Sequence, residues 1–252
     1  MPFFVSIIIW VFCICAGHIV QAVTGFGAFA VALPILFLFF DAKLIVPILV
    51  ALNLILCITV TVRTKEYIDW PQAKKILCLS LPGTPLGWLL FRYLPGDELK
   101  LILGVLAITA AVWNLRQIFR PNYKPPAVPK WADVLILILA GVSHGAYGTG
   151  GLVVGFYITR YITDKTVFQS TSSIIWAFQN LMVCILYTIG GNWKVEMLPY
   201  FGIGLPVVLA SIAIGMWLHH KINQKVFSIM VFGIMIFSGA ILVIQTASRL
   251  FF

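Results

Sequence analysis

The sequence predicts an all-α polytopic membrane protein of two inverted repeats, each a broken glycine-rich hairpin followed by three transmembrane helices. Three observations predict it. Of 252 residues 61% are hydrophobic and 10% charged, with a mean hydropathy of +1.03, which is outside the range of soluble globular domains. The acids Asp41, Glu66, Asp69, Asp97, Glu98, Asp133, Asp164 and Glu196, and most Lys and Arg, fall in short gaps between apolar runs of about 20 residues, the length that crosses a hydrocarbon core of about 30 Å. Finally, two glycine-rich segments, Gln21-Ala22-Val23-Thr24-Gly25-Phe26-Gly27 and His144-Gly145-Ala146-Tyr147-Gly148-Thr149-Gly150-Gly151, interrupt apolar stretches 123 residues apart.

Each element follows in order. The stretch from Phe3 to Phe40 is 38 residues. As one helix it would run about 57 Å, nearly twice the membrane, so it turns back at Thr24-Gly25-Phe26-Gly27. Spans over Leu44 to Val62, Ile76 to Leu94 and Leu99 to Phe119 complete the first half. The second half reads as a hairpin over Trp131 to Ile158, then spans over Val167 to Ile189, Met197 to Leu218 and Val226 to Ser248. The arm from Trp131 to Ser143 is short for a crossing, which favours half-helices that enter and leave on one side. The N-terminus has no basic n-region or cleavage site and reads as a retained span. Residues 1–119 are thus a first repeat, 120–130 a proline-rich basic linker, and 131–252 a second repeat.

Register supports the duplication. Asp41 matches Asp164, Trp70 matches Trp193, and Gly25 and Gly27 match Gly148 and Gly150, all at a shift of 123, while Gly87 matches Gly215 at 128. Asp41 and Asp164 begin the spans after the hairpins and read as helix N-caps. A hairpin adds no net crossing, so three further spans leave the two halves inverted. That topology places 12 of the 17 Lys and Arg on the cytoplasmic side, against 10 for a parallel arrangement, and so agrees better with the positive-inside rule. The net charge of +9 is then a consequence of insertion and implies no nucleic-acid partner. The cysteines Cys13, Cys15, Cys57, Cys78 and Cys184 lie in apolar runs and read as packing residues, with no disulfide or metal framework.

The chemistry available to the chain is neutral. No Asp, Glu, Lys or Arg lies near the middle of a span, which excludes the usual charged relays of ion pumps. Irregular backbone at membrane depth is tolerated only where it lines a cavity or is buried in protein, and paired breaks in two halves point to a binding site. The breaks expose N–H groups at half-helix N-termini, whose partial positive charge favours an anion. The candidate substrate-binding residues are Gln21, Thr24, Gly25, Phe26 and Gly27 in the first break and Ser143, His144, Tyr147, Gly148, Thr149, Gly150 and Gly151 in the second. Asn53 and, within about one turn, Trp176, Gln179 and Asn180 join them from the following spans. His144 stands where the first repeat has Gln21 and is the first candidate for a coupling proton, with His18 the second. His219 and His220 end a span beside Lys221 and read as an interfacial cap; Pro34, Pro47, Pro82, Pro85 and Pro206 are places for kinks.

The segment Thr24-Gly25-Phe26-Gly27 running to Pro34, its counterpart Gly145 to Gly151, the pair Asp69-Trp70, and Gly83 with Gly87 resemble the sulfite exporter TauE/SafE family, also called the 4-toluene sulfonate uptake family. The resemblance covers nearly the whole chain. It implies an inner-membrane permease for a small sulfur-containing anion such as sulfite or sulfoacetate, by export or uptake, and a homodimer. With the neutral site, it favours a secondary exporter without cofactor or metal; the alternatives are an uptake permease for another small organic anion, a membrane scaffold, and an intramembrane enzyme. Ser143 and His144 argue poorly for the enzyme, because adjacent helical residues point about 100° apart and no buried acid orients the imidazole.

Overall fold

A computed structural model describes residues 3–119, 129–158, 160–162, 164–219, 221 and 224–251; the linker apart from Pro129 and Lys130, and His220, lie outside them. Eleven α-helices are present among these: α1 Phe3–Thr24, α2 Ala28–Leu36, α3 Ala42–Arg63, α4 Trp70–Ser80, α5 Gly83–Tyr93, α6 Gly96–Phe119, α7 Lys130–Tyr147, α8 Gly150–Ile158, α9 Lys165–Ile189, α10 Leu198–His219 and α11 Gln224–Phe251. Five helical segments, those of α1, α3, α6, α9 and α10, are long and apolar enough to cross a membrane. Large apolar side chains such as Ile8 and Phe12 on α1 are left exposed on the outer surface, as a surface solvated by hydrocarbon requires.

Local sequence accounts for the helix starts. Asp41 accepts Lys43 N–H at 2.7 Å, and Asp164 accepts Thr166 and Val167 N–H at 2.8 and 2.9 Å. The same device starts α4 at Trp70, six residues before the apolar run expected at Ile76, because Asp69 accepts Gln72 N–H at 3.1 Å with Pro71 in the first turn. The span expected as one helix to Leu94 is two, since Pro82 has no N–H and interrupts the ladder between α4 and α5. In the second hairpin α7 runs 18 residues to Tyr147, longer than the short arm expected, and α8 only nine.

Both hairpins fold back. The Ala28 carbonyl lies 2.6 Å from where a Cβ on Gly17 would stand, and Ala140 O 2.8 Å from one on Gly150. Each hairpin then packs on the other half. Gly215 in α10 receives Ile19 and Ala22 of α1, and Gly87 in α5 receives Val142 and Ala146 of α7. Val142 lies 123 residues after Ile19, the offset that also separates Gly25 from Gly148. Between them α3 and α9 cross antiparallel: Asn180 Nδ2 lies 3.8 Å from Cys57 Sγ, while Thr171 near the start of α9 bonds Asp69 N–H beyond the end of α3 at 3.0 Å. Helices α6 and α11 are antiparallel too, with Gly104 against Val243 and Gly239 against Ile108.

The bases of the hairpins differ. Trp10 of α1 packs edge-on to Phe40 and Tyr200 at 6.4 and 5.5 Å, and its Nε1 donates to Tyr200 O at 3.0 Å. At the position equivalent to Trp10 the second hairpin has Asp133, buried, whose carboxylate pairs with Arg160 at 2.6 Å and accepts Tyr161 O–H at 2.9 Å. That hydrogen bond holds the Tyr161 phenol above its ordinary pKa, so it remains a donor. Lys75 lies over the Tyr157 and Tyr161 rings at 5.1 and 5.4 Å, and Tyr157 donates to Gln72 at 3.0 Å.

Candidate substrate site between the glycine breaks

The first break is a tight turn clamped from outside. Gly25 and Gly27 have φ of +87° and +106°, a region closed to most L-residues, and the Gln169 Cα lies 2.7 Å from where a Gly25 Cβ would stand. The last carbonyls of α1 have no intrahelical donors. Three side chains of the second half supply them: Gln169 donates its amide to Ala22 O, His219 Nδ1 donates to Val23 O at 2.7 Å, and Trp176 Nε1 to Gly25 O at 3.0 Å. Inside the turn Thr24 Oγ1 is 2.6 Å from Phe26 O, and Gln21 Oε1 accepts the Ala28 N–H at 3.2 Å. Gln21 therefore satisfies one of the free N–H groups at the start of α2 and leaves those of Phe29 and Ala30 without intrahelical acceptors.

The second break closes on itself. Gly148, at φ +72°, donates its N–H to His144 O at 2.7 Å, and the Phe29 ring leaves no space for a Cβ. Ser143 and Thr149 hydroxyls bond each other at 2.8 Å across the turn. The His144 ring stacks on Trp176 at 5.3 Å with 8° between planes, and Nε2 donates to Asn180 Oδ1 at 3.1 Å. Asn180 in turn reaches Cys57 Sγ, which also accepts from Gln21 Nε2 at 3.3 Å.

These contacts bring both breaks to one cavity. It is lined by Gln21, Phe26, Gly27, Phe29 and Ala30 from the first hairpin, by His144, Gly148, Thr149 and Gly151 from the second, and by Asn53 and Trp176. Its free volume, about 10 Å³, holds about one water molecule. Asn53, 2% exposed, has no partner for its Oδ1, and buried His144 has none for Nδ1, among the described residues. Buried polar atoms are normally hydrogen-bonded, so these two, an amide oxygen and an imidazole nitrogen that both accept in the neutral form, mark where a ligand bearing a proton supplies the missing donor.

Of the other residues singled out in the sequence, Thr24, Gly25, Ser143 and Gly150 shape the breaks behind the cavity wall. Asn180 holds His144 in place. Gln179 points away and donates to Ser80 at 2.6 Å, tying α9 to α4. Tyr147 is buried, and His18, buried on α1, donates Nδ1 to Ile14 O at 2.8 Å; neither is on the cavity wall. His219 is 3% exposed and turned to the first break, where an interfacial cap was expected. Phe29 and Ala30 are lining residues that side-chain chemistry did not suggest. Their signal was positional, because they are second and third after the helix start at Gly27 and contribute backbone N–H groups. Gln169 and His219 left no local signal, since their partners are 147 and 196 residues away.

The arrangement offers N–H and O–H donors, two half-helix N-termini and one unpaired imidazole nitrogen, with no fixed charge on the wall. Among the described residues no three His, Cys, Asp or Glu cluster closely enough to hold a metal ion. Neither a curated protein nor a solved structure matches the chain. The family model for the sulfite exporter TauE/SafE matches residues 9–242, and the chain belongs to that family, one of membrane transporters and not of enzymes.

Proposed function

We propose that this member of the sulfite exporter family is a secondary transporter of the cell (inner) membrane that exports a small sulfur-containing anion, such as sulfite or sulfoacetate. The observation that carries this reading is the meeting of both breaks at one cavity where Asn53 and His144 keep unpaired polar atoms. Charge-assisted hydrogen bonds of about 1.5–3 kcal/mol each, from the few donors present, add to about the 4–8 kcal/mol of millimolar to micromolar affinity. A fixed cation would bind the anion too firmly to release. Because the cavity holds about one water, the conformation described is contracted, and the anion enters only when the halves part. The antiparallel crossings of α3 with α9 and α6 with α11 support two repeats inverted in the membrane. In that topology the gaps around Arg63, Arg160 and Lys221 face the cytoplasm.

An inside-negative potential drives an anion outward at about 2.3 kcal/mol per charge per 100 mV. His144 adds a link to protons. Unprotonated, its Nδ1 is an acceptor that repels a fully ionised oxyanion and pairs only with one that carries a proton, such as bisulfite; protonated, it is a donor to either. Proteoliposomes loaded with radiolabelled sulfite test the reading: wild type releases it faster under an inside-negative diffusion potential, and Asn53→Leu slows release at least about tenfold, the value of one hydrogen bond of about 1.4 kcal/mol. Release no faster than from protein-free liposomes, under either potential and for sulfoacetate as well, would overturn it.

A further inference from the structure

A second cavity, of about 280 Å³, opens at the end of the molecule where the basic gaps converge. That is close to the size of small-molecule sites and far larger than the central cavity. Its walls are three helix ends: Arg63 and Thr64 closing α3 with Tyr67 beyond, Thr166 and Gln169 in the first turns of α9, and His219 closing α10. None is acidic. The Arg63 guanidinium has Met216 Sδ at 3.8 Å, a weak acceptor, and no carboxylate within ion-pair distance among the described residues. Lys165 adds a second cation beside it, bonded to His219 O at 2.9 Å. Of the two acids that flank the walls in sequence, Asp164 is turned to the N–H groups of Thr166 and Val167, and Glu66 is exposed beside Lys65.

Only one layer of residues separates this cavity from the central one. Gln169 lines the outer cavity and Phe26 the inner. Between them Gly25 lies on the Gln169 Cα, Phe26 meets Phe168 edge-on at 5.9 Å, and the Gln169 amide donates to Ala22 O. We propose that the outer cavity is the loading chamber that collects the anion on the cytoplasmic side, and that Gln169 is the gate between it and the central site. This rests on the transport reading above. An arriving oxyanion competes with Ala22 O for the Gln169 N–H and forms the stronger, charge-assisted bond. The ligand thereby releases the latch that holds the first break, and Gly25, in the left-handed region with no Cβ, lets the turn swing.

Thiol labelling tests the chamber without depending on transport. The full chain, with exposed Cys78 replaced by Ser, is studied in inside-out membrane vesicles with methanethiosulfonates of matched size, one bearing a sulfonate and one a trimethylammonium. In a Thr166→Cys variant the anionic reagent is expected to react about tenfold faster than the cationic one after correction for their intrinsic rates, the low end of the effect of a cleft lined by one sign of charge. Arg63→Gln should remove most of that preference, and sulfoacetate should slow the labelling. In an Ala30→Cys variant the thiol lies behind the gate; it should label slowly with Gln169 present and about tenfold faster with Gln169→Leu, which keeps bulk and removes the donor. Gln169→Ala serves if the leucine variant folds poorly. Equal rates for the two reagents at position 166 would overturn the chamber, and no acceleration at position 30 in either gate variant would overturn the gate. Sulfite release from the unsubstituted chain is measured in parallel, so its absence would overturn the transport reading alone.

Discussion

The two glycine breaks both turn on a left-handed glycine, Gly25 in one and Gly148 in the other, and differ in what holds the turn. The first is pinned by three donors from the other half, Gln169, Trp176 and His219, on the carbonyls of Ala22, Gly25 and Val23 around the turn. An offset of 123 puts Val46 and Asn53, and the offset of 128 that relates Gly87 to Gly215 puts Phe91, opposite Gln169, Trp176 and His219. Two of these are apolar and the third, Asn53, leaves its Oδ1 unpaired, so the second break relies on its own Ser143–Thr149 bond. In the transport reading the first turn is a latch that the arriving anion releases, and the second is the place where the ligand completes the hydrogen bonding. The hairpin bases diverge likewise: a dry aromatic cluster around Trp10 against the buried Asp133–Arg160 pair.

The largest effect tests the bases. Asp133→Asn leaves Arg160 buried and uncompensated and is expected to cost about 3–5 kcal/mol, read as a fall in the melting temperature of the detergent-solubilised protein. Trp10→Phe on the other base removes one hydrogen bond, about 1 kcal/mol. Equal losses would erase the distinction between an ionic and an apolar clamp.

The breaks separate next. Trp176→Phe leaves Gly25 O buried without its donor and should cost about 1–3 kcal/mol of stability. Asn53→Leu removes a buried amide whose Oδ1 is unpaired, so stability is expected to change little, while sulfite release falls. If Asn53→Leu proves as destabilising as Trp176→Phe, Asn53 is a packing residue and the second break has no special freedom. Thr149→Val removes the hydroxyl pair across that break at about 1 kcal/mol. The smallest effect is expected from His144→Gln, which places there the residue type found at position 21: release persists, and its dependence on pH flattens. A pH profile identical to wild type would remove His144 from proton coupling.

What could be read from the sequence was what is local. Asp41 and Asp164 mark helix starts because an N-cap acts on residues two or three away; Asp69 does the same for α4 and was not read so. The breaks were legible at Gly25 and Gly148 because positive φ leaves a glycine signature. The residues that complete the site were not, because their roles depend on which helices meet. Gln169 sits among Ser and Thr at the start of an ordinary span, and only the packing of α9 on the first hairpin makes its amide a clamp. Asp133 read as a gap acid near the start of an apolar arm, and its partner Arg160 comes from the far end of the same hairpin. Gln179 and Asn180 are neighbours of equal chemistry, yet one faces Ser80 and the other His144, a rotation about the helix that composition does not encode.

The measurement that bears most directly on an anion held between the breaks is thermal stabilisation of purified wild type and Asn53→Leu by sulfite, sulfoacetate, sulfate, a carboxylate isostere and simple cations. At 100 times its dissociation constant a ligand of the folded state adds about 2.7 kcal/mol. Stabilisation of wild type by a sulfur oxyanion, lost in a well-folded Asn53→Leu, is the expected result. Stabilisation by cations alone, or by sulfur anions equally in both proteins, would contradict it.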